Sequence, residues 1–196
     1  LLNISPNQIN NIRESYFHKI NIKEYSLDST IIDKLPLSMI ELGFIKTIFP
    51  ESKIILALRH PCDVVISCYF SYFKINEAMI NFLDWNDTIN FYNKTFDLFE
   101  FYETELKINY YKIKYEEIVF DFKNQVEKLL IFLDLKYEKS LENYYNTAKK
   151  REKISTPSYS QVVQPLYTSS IDRWKNYKQI INPEDKLKKW ISKFNY

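Results

Sequence analysis

Residues Lys53–Phe73, KIILALRHPCDVVISCYFSYF, decide how this chain is read. Five consecutive apolar residues, Ile54 to Leu58, suit a short strand buried on both faces. The run stops at Arg59. Pro61 and Asp63 then occupy positions favoured in the first turn of a helix, and Ser67 falls one to two turns inside it. An arginine at the carboxyl end of a strand and a hydroxyl on the next helix can converge on one phosphate. The guanidinium supplies a planar fork of donors and the serine a further donor. In open α/β sheets, ligands bind at that edge. The residues leave a second reading equally open, in which Arg59 is satisfied by a local carboxylate such as Asp63.

Around this stretch the chain is ordinary in bulk. Its 196 residues suit one domain, 1–196, with a sizeable core. Apolar residues make up 45% and charged residues 27%, as in a soluble globular protein. A formal net charge of +2, with no basic stripe interleaved with aromatics, argues against nucleic acid as a partner. No apolar run approaches the roughly 18–20 residues of a membrane span. Cys62 and Cys68 face different directions on one predicted helix, so no bridge is expected. That fits a reducing compartment, and the cytoplasm is the expected location. His18 and His60 lack a pattern for a metal site or a nucleophile relay and are read as structural or surface residues; no metal is expected.

Along the chain, Ser5-Pro6-Asn7-Gln8 reads as a cap, a first-turn proline and a capping-box glutamine, opening a helix to about Ile20. Ser29–Asp33 reads as a short β-branched strand. From Pro36, the residues Leu37, Ile40, Phe44 and Ile48 follow helical spacing. Beyond the central stretch come a long helix over about 86–106, a strand over 110–115, and an amphipathic helix over 123–133. A surface helix over 138–150 follows, then a loop from Arg151 to Ser170. A loop that long in a compact domain is usually functional. Helices resume over about 171–177 and 183–194. This alternation favours an α/β layer with a parallel sheet flanked by helices. Glu116 and Glu117 are read as capping the turn after the strand.

Four motifs stand in a recognisable order: DKLP at Asp33–Pro36; FP-x-x-K-hydrophobic-R-x-P-x-D-x3-S from Phe49 to Ser67; KYEEIV from Lys114; and S-x-SQV-x-QP-x7-RW from Ser158 to Trp174. Together they resemble sulfotransferases that use 3′-phosphoadenosine 5′-phosphosulfate. They are most similar to the bacterial branch often attached to tetratricopeptide repeats and related to tyrosylprotein sulfotransferases. The resemblance runs from about Tyr16 to Tyr177. It implies a P-loop-NTPase-like sulfotransferase fold, the nucleotide as cosubstrate, a hydroxyl acceptor as partner, and a tetratricopeptide region upstream in the full protein.

Roles carried over by motif are as follows. Arg59 and Ser67 match the pair that holds the 3′-phosphate. Tyr115 matches a tyrosine lining the nucleotide pocket. Arg173, and the loop containing Ser158, Tyr159, Ser160, Gln161 and Val162, match elements that close over the cosubstrate. Lys34 and Ser158 match the transition-state stabilisers that bracket the transferred group. A loose transition state leaves the protein mainly positioning and charge stabilisation to supply.

The chain also departs from the family pattern. Its only glycine, Gly43, lies inside a predicted helix, so the Gly/Ser/Thr-rich turn that cradles the 5′-phosphosulfate has no counterpart. The first strand, that turn and the branch's general-base glutamate would lie before Leu1; truncation of a longer protein, favoured by the missing Met, competes with a degenerate relative that binds nucleotide poorly. The family's further basic residue after the 3′-phosphate serine is Ser71 here. A non-catalytic module that keeps a 3′-phosphonucleotide site without the sulfuryl site is the alternative. The acceptor, whether protein tyrosine, glycan or small molecule, is not specified by the sequence.

Overall fold

A computed structural model describes residues 4–20, 30–150 and 163–196. Ser158, Tyr159, Ser160, Gln161 and Val162 fall outside the described residues, as does Ser29. The fold is a helix-rich α/β arrangement with a small parallel sheet, and the chain divides into two compact units: Leu1–Ser52 with Asp97–Ile108, and Lys53–Phe96 with Asn109–Tyr196. No described helix is long and apolar enough to cross a membrane.

In the first unit, helix α1 (Pro6–Lys19) opens on the capping box legible in the sequence. Ser5 Oγ accepts from Gln8 N at 3.3 Å, and Gln8 Oε1 accepts from Ser5 N at 2.8 Å. Residues 30–35 are neither strand nor helix, so the expected strand ending at Asp33 does not form there. Ile32 is 80% exposed, and an apolar β-branched residue without a neighbouring strand has no ladder to join. The single helix expected from Pro36 begins instead as a 3-10 turn (Pro36–Glu41) and continues as α2 (Leu42–Ile48). Arg13 Nε donates to the Ile48 carbonyl at 2.6 Å, tying α1 to the end of α2. Gly43 is there for space: a Cβ would stand 2.9 Å from the ring of Tyr102, whose hydroxyl is held by the Ile40 carbonyl.

The second unit carries the central stretch. Strands β1 (Ile54–Leu58) and β2 (Tyr110–Lys114) pair in parallel, Ile54 opposite Tyr110 and Leu58 opposite Lys114. Such a pairing requires a long crossover. Helix α3 (Pro61–Phe70) and the helix α4 (Trp85–Glu105) lie within it, and α4 contributes residues to both units. Leu56 and Leu58 are buried while Ile55 is 39% exposed, so β1 alternates and is not covered on both faces. The reason is the sheet itself, which has two strands among the described residues and shelters only one face of β1.

Two short helices follow β2 directly: α5 (Tyr115–Phe120) and α6 (Phe122–Leu133). Tyr115 is therefore the first residue of a helix rather than the last of a strand. The expected helix over 138–150 is a 3-10 turn (Lys139–Asn143) leading into α7 (Tyr144–Lys149). A 3-10 turn (Arg173–Tyr177) and helix α8 (Glu184–Lys193) complete the unit. Helix α8 packs on α3 and buries Leu187 and Trp190. Rings of Phe96, Trp190 and Phe194 meet at centroid distances of 5.1 to 5.9 Å, and Trp190 Nε1 donates to Asn93 Oδ1 at 2.9 Å. A buried indole is thereby satisfied. Cys62 and Cys68 are free thiols, and burial pushes them up to about 12 and about 11.

Candidate functional site

Arg59 follows the last residue of β1, so its backbone is held by the strand and its side chain emerges at the carboxyl edge. Its Nη2 donates to the Ser170 carbonyl, and the guanidinium lies over the Tyr115 ring at 5.8 Å. Asp63 Oδ1 stands 3.9 Å from Nη2, which is close enough for attraction but too far for a hydrogen bond. Arg59 Nε is buried and has no partner among the described residues. An unsatisfied buried N–H on a cation is costly, and the cost is relieved by an anion that brings acceptors into the guanidinium plane.

Asp63, the local carboxylate that competed with a phosphate in the sequence reading, has other obligations. Its Oδ2 accepts from Asp172 N at 2.9 Å and its Oδ1 from Trp174 N at 2.8 Å. Burial pushes its pKa up; the Trp174 N–H, Arg59 and the Asp172 N–H each pull it down.

Tyr115 completes the neighbourhood of Arg59. Its hydroxyl donates to the Tyr167 carbonyl at 2.8 Å and accepts from Ser170 Oγ at 3.2 Å. Burial raises the Tyr167 pKa, and Arg59, Ser170 and Arg173 act to lower it, which places both arginines in its surroundings. Arg59, Tyr115 and the segment from Tyr167 to Arg173 thus converge, although Arg59 and Ser170 are 111 residues apart. Ser67 is half-buried on α3, and its carbonyl accepts from Ser71 Oγ at 2.6 Å. Lys34 is exposed in the first unit, beside Asp33, which accepts from Tyr16 Oη at 2.8 Å.

His60, expected to be a structural or surface residue, has a structural role at the start of α3. Its Nδ1 accepts from Cys62 N at 3.2 Å and caps α3, its backbone N–H donates to Glu116 Oε1 at 2.9 Å, and its ring stacks on Trp174 at 5.4 Å. Glu116 accepts from Tyr196 Oη at 3.0 Å as well, so it joins α3 to the carboxyl terminus and does not cap the turn after β2. His60, Glu116, Trp174 and Tyr196, with Lys175 and Glu184, line a cavity of about 420 Å³. Histidine immediately before the first-turn proline was the available signal. The capping role itself is not evident from sequence because serine, threonine, aspartate and asparagine are the usual caps.

Comparison with known proteins agrees with this fold. Residues 6–139 match the model of the sulfotransferase family. An uncharacterized protein of Aquifex aeolicus (strain VF5) is 27% identical over 154 residues, which is 78% of this chain and 20% of that protein. The chain therefore spans about a fifth of that relative's length. Among solved structures, the sulfotransferase domain from the curacin biosynthetic pathway superposes with a TM-score of 0.67, covering 95% of this chain and 67% of that one. Identity is 16%, so that likeness is one of fold.

Proposed function

This chain belongs to the sulfotransferase family, and on that footing we propose that it moves a sulfuryl group from 3′-phosphoadenosine 5′-phosphosulfate to a hydroxyl acceptor. The observation that carries the proposal is Arg59, a partly sheltered guanidinium at the end of β1 with a buried Nε that has no partner among the described residues. This donor set suits a phosphate. The bound cosubstrate supplies the activated sulfuryl group: an acceptor O–S bond forms, the bond to the 5′-phosphate oxygen breaks, and the hydroxyl proton is lost.

What the chain's own residues do is position and stabilise. Arg59 binds the 3′-phosphate through the guanidinium edge that Ser170 leaves open, with Ser67 as a second donor. Tyr115 fixes the guanidinium plane through its ring and holds residues 167–170 through its hydroxyl. Arg173 and the segment Ser158–Val162 close over the nucleotide, an assignment that rests on the motif. Lys34 and Ser158 stabilise charge on the sulfuryl oxygens on the same basis.

The test is calorimetric titration of the full chain with 3′-phosphoadenosine 5′-phosphate, beside a sulfuryl-transfer assay of the full-length gene product. Saturable binding that Arg59→Ala abolishes is expected. Absence of binding overturns the nucleotide site; binding without transfer by the full-length protein overturns the enzymatic part and leaves a nucleotide-binding module.

A further inference from the structure

An acid in the first turn of a helix is ordinarily explained by its charge alone. Asp63 goes beyond that. Its side chain is 0% exposed, and both oxygens accept backbone N–H groups from a single distant segment, at Asp172 and Trp174. Asp172, the first of these donors, lies in the left-handed region, φ 59 and ψ 16, a conformation that non-glycine residues adopt at a cost. Two charge-assisted hydrogen bonds accepted by one buried carboxylate hold the chain in that conformation. Just before it is Ser170, whose carbonyl accepts from Arg59 and whose hydroxyl donates to Tyr115.

We infer that Asp63 is a positioning residue of the nucleotide site: it latches residues 170–174 to α3, so that the Ser170 carbonyl orients Arg59 with its remaining donors toward the 3′-phosphate. The inference rests on the nucleotide assignment above. It makes a prediction opposite in sign to that of simple charge. Removing a carboxylate 3.9 Å from the guanidinium leaves a more positive site and strengthens anion binding if charge alone matters. Releasing the latch weakens it. Asp63→Asn separates the two, because the amide keeps one acceptor and turns a donor toward the other N–H.

The experiment titrates the full chain, Asp63→Asn, Arg59→Lys and the double variant with 3′-phosphoadenosine 5′-phosphate, and follows amide exchange at residues 170–174. Expected for Asp63→Asn are a Kd about tenfold higher, faster exchange at those amides, and little further loss when combined with Arg59→Lys. An unchanged or tighter Kd in folded Asp63→Asn overturns the inference, as does a fully additive loss in the double variant. A merely structural role would lower the Tm without moving the Kd. Failure of the unsubstituted chain to bind overturns the nucleotide reading itself, and the inference with it. Where Asp63→Asn does not fold, Tyr115→Phe removes the hydroxyl that holds Ser170 and Tyr167. A severalfold weaker Kd is then expected, and an unchanged one overturns the inference.

Discussion

The guanidinium of Arg59 and the ring of Tyr115 face one another at 5.8 Å, while the tyrosine hydroxyl is committed to Tyr167 and Ser170. One side chain thus performs two separable tasks. Tyr115→Phe keeps the ring over Arg59 and strands the Tyr167 carbonyl and the Ser170 hydroxyl, for a loss of about 1 kcal/mol in unfolding free energy. Tyr115→Ala also removes the cation–ring contact and costs more. Denaturant unfolding of the two variants checks the order; equal losses would show that the ring contributes nothing.

Arg59→Lys retains the charge but not the fork. An ammonium cannot donate to the Ser170 carbonyl and simultaneously present a planar pair of N–H groups to an anion. Affinity for 3′-phosphoadenosine 5′-phosphate is expected to fall about tenfold or more, with the Tm nearly unchanged. Calorimetric Kd values for the two proteins decide it, and equal affinities would reduce Arg59 to a point charge.

Lys34→Ala should separate binding from turnover. Lys34 is exposed in the first unit, and its proposed role is charge stabilisation in the transition state. The expected result is a large fall in kcat of the full-length protein with nucleotide affinity preserved. A normal kcat removes Lys34 from the mechanism.

His60 gives the protein an acid-sensitive cap. Burial lowers its pKa from 6.5, reinforced by Lys175 and opposed by Asp63, Asp172 and Glu116. The folded state therefore favours the neutral ring. The stability this contributes is complete above pH 6.5 and is lost as pH falls through the lower folded-state value. The cause is local: a proton on Nδ1 turns the acceptor of the Cys62 N–H into a donor. Thermal unfolding between about pH 7 and 5 should show a smaller loss of Tm in His60→Asn, whose side-chain oxygen can still cap α3. Identical pH profiles would dissociate His60 from the acid sensitivity.

Much of the framework was legible because it depends on neighbours in sequence. The capping box at Ser5, the strand Ile54–Leu58 and the helix beginning at Pro61 are set by spacing, by turn chemistry and by residues within a few positions of each other. Misreadings arose where a partner decides. Residues 30–33 carry the composition of a strand, but no ladder holds them; β1 is apolar enough for burial on both faces, but only one is covered.

By itself, then, the sequence determined the order of elements, the motifs that placed the chain among sulfotransferases, and Arg59 at a strand end. Which groups Asp63 answers is decided only in three dimensions. The donors that compete with Arg59 for Asp63 are backbone N–H groups 109 and 111 residues away. Side-chain identity in sequence does not reveal where a distant main chain will pass. Once residues 172–174 take both oxygens of Asp63, the ion pair at 3.9 Å is secondary, and the buried Nε of Arg59 is left without a partner among the described residues.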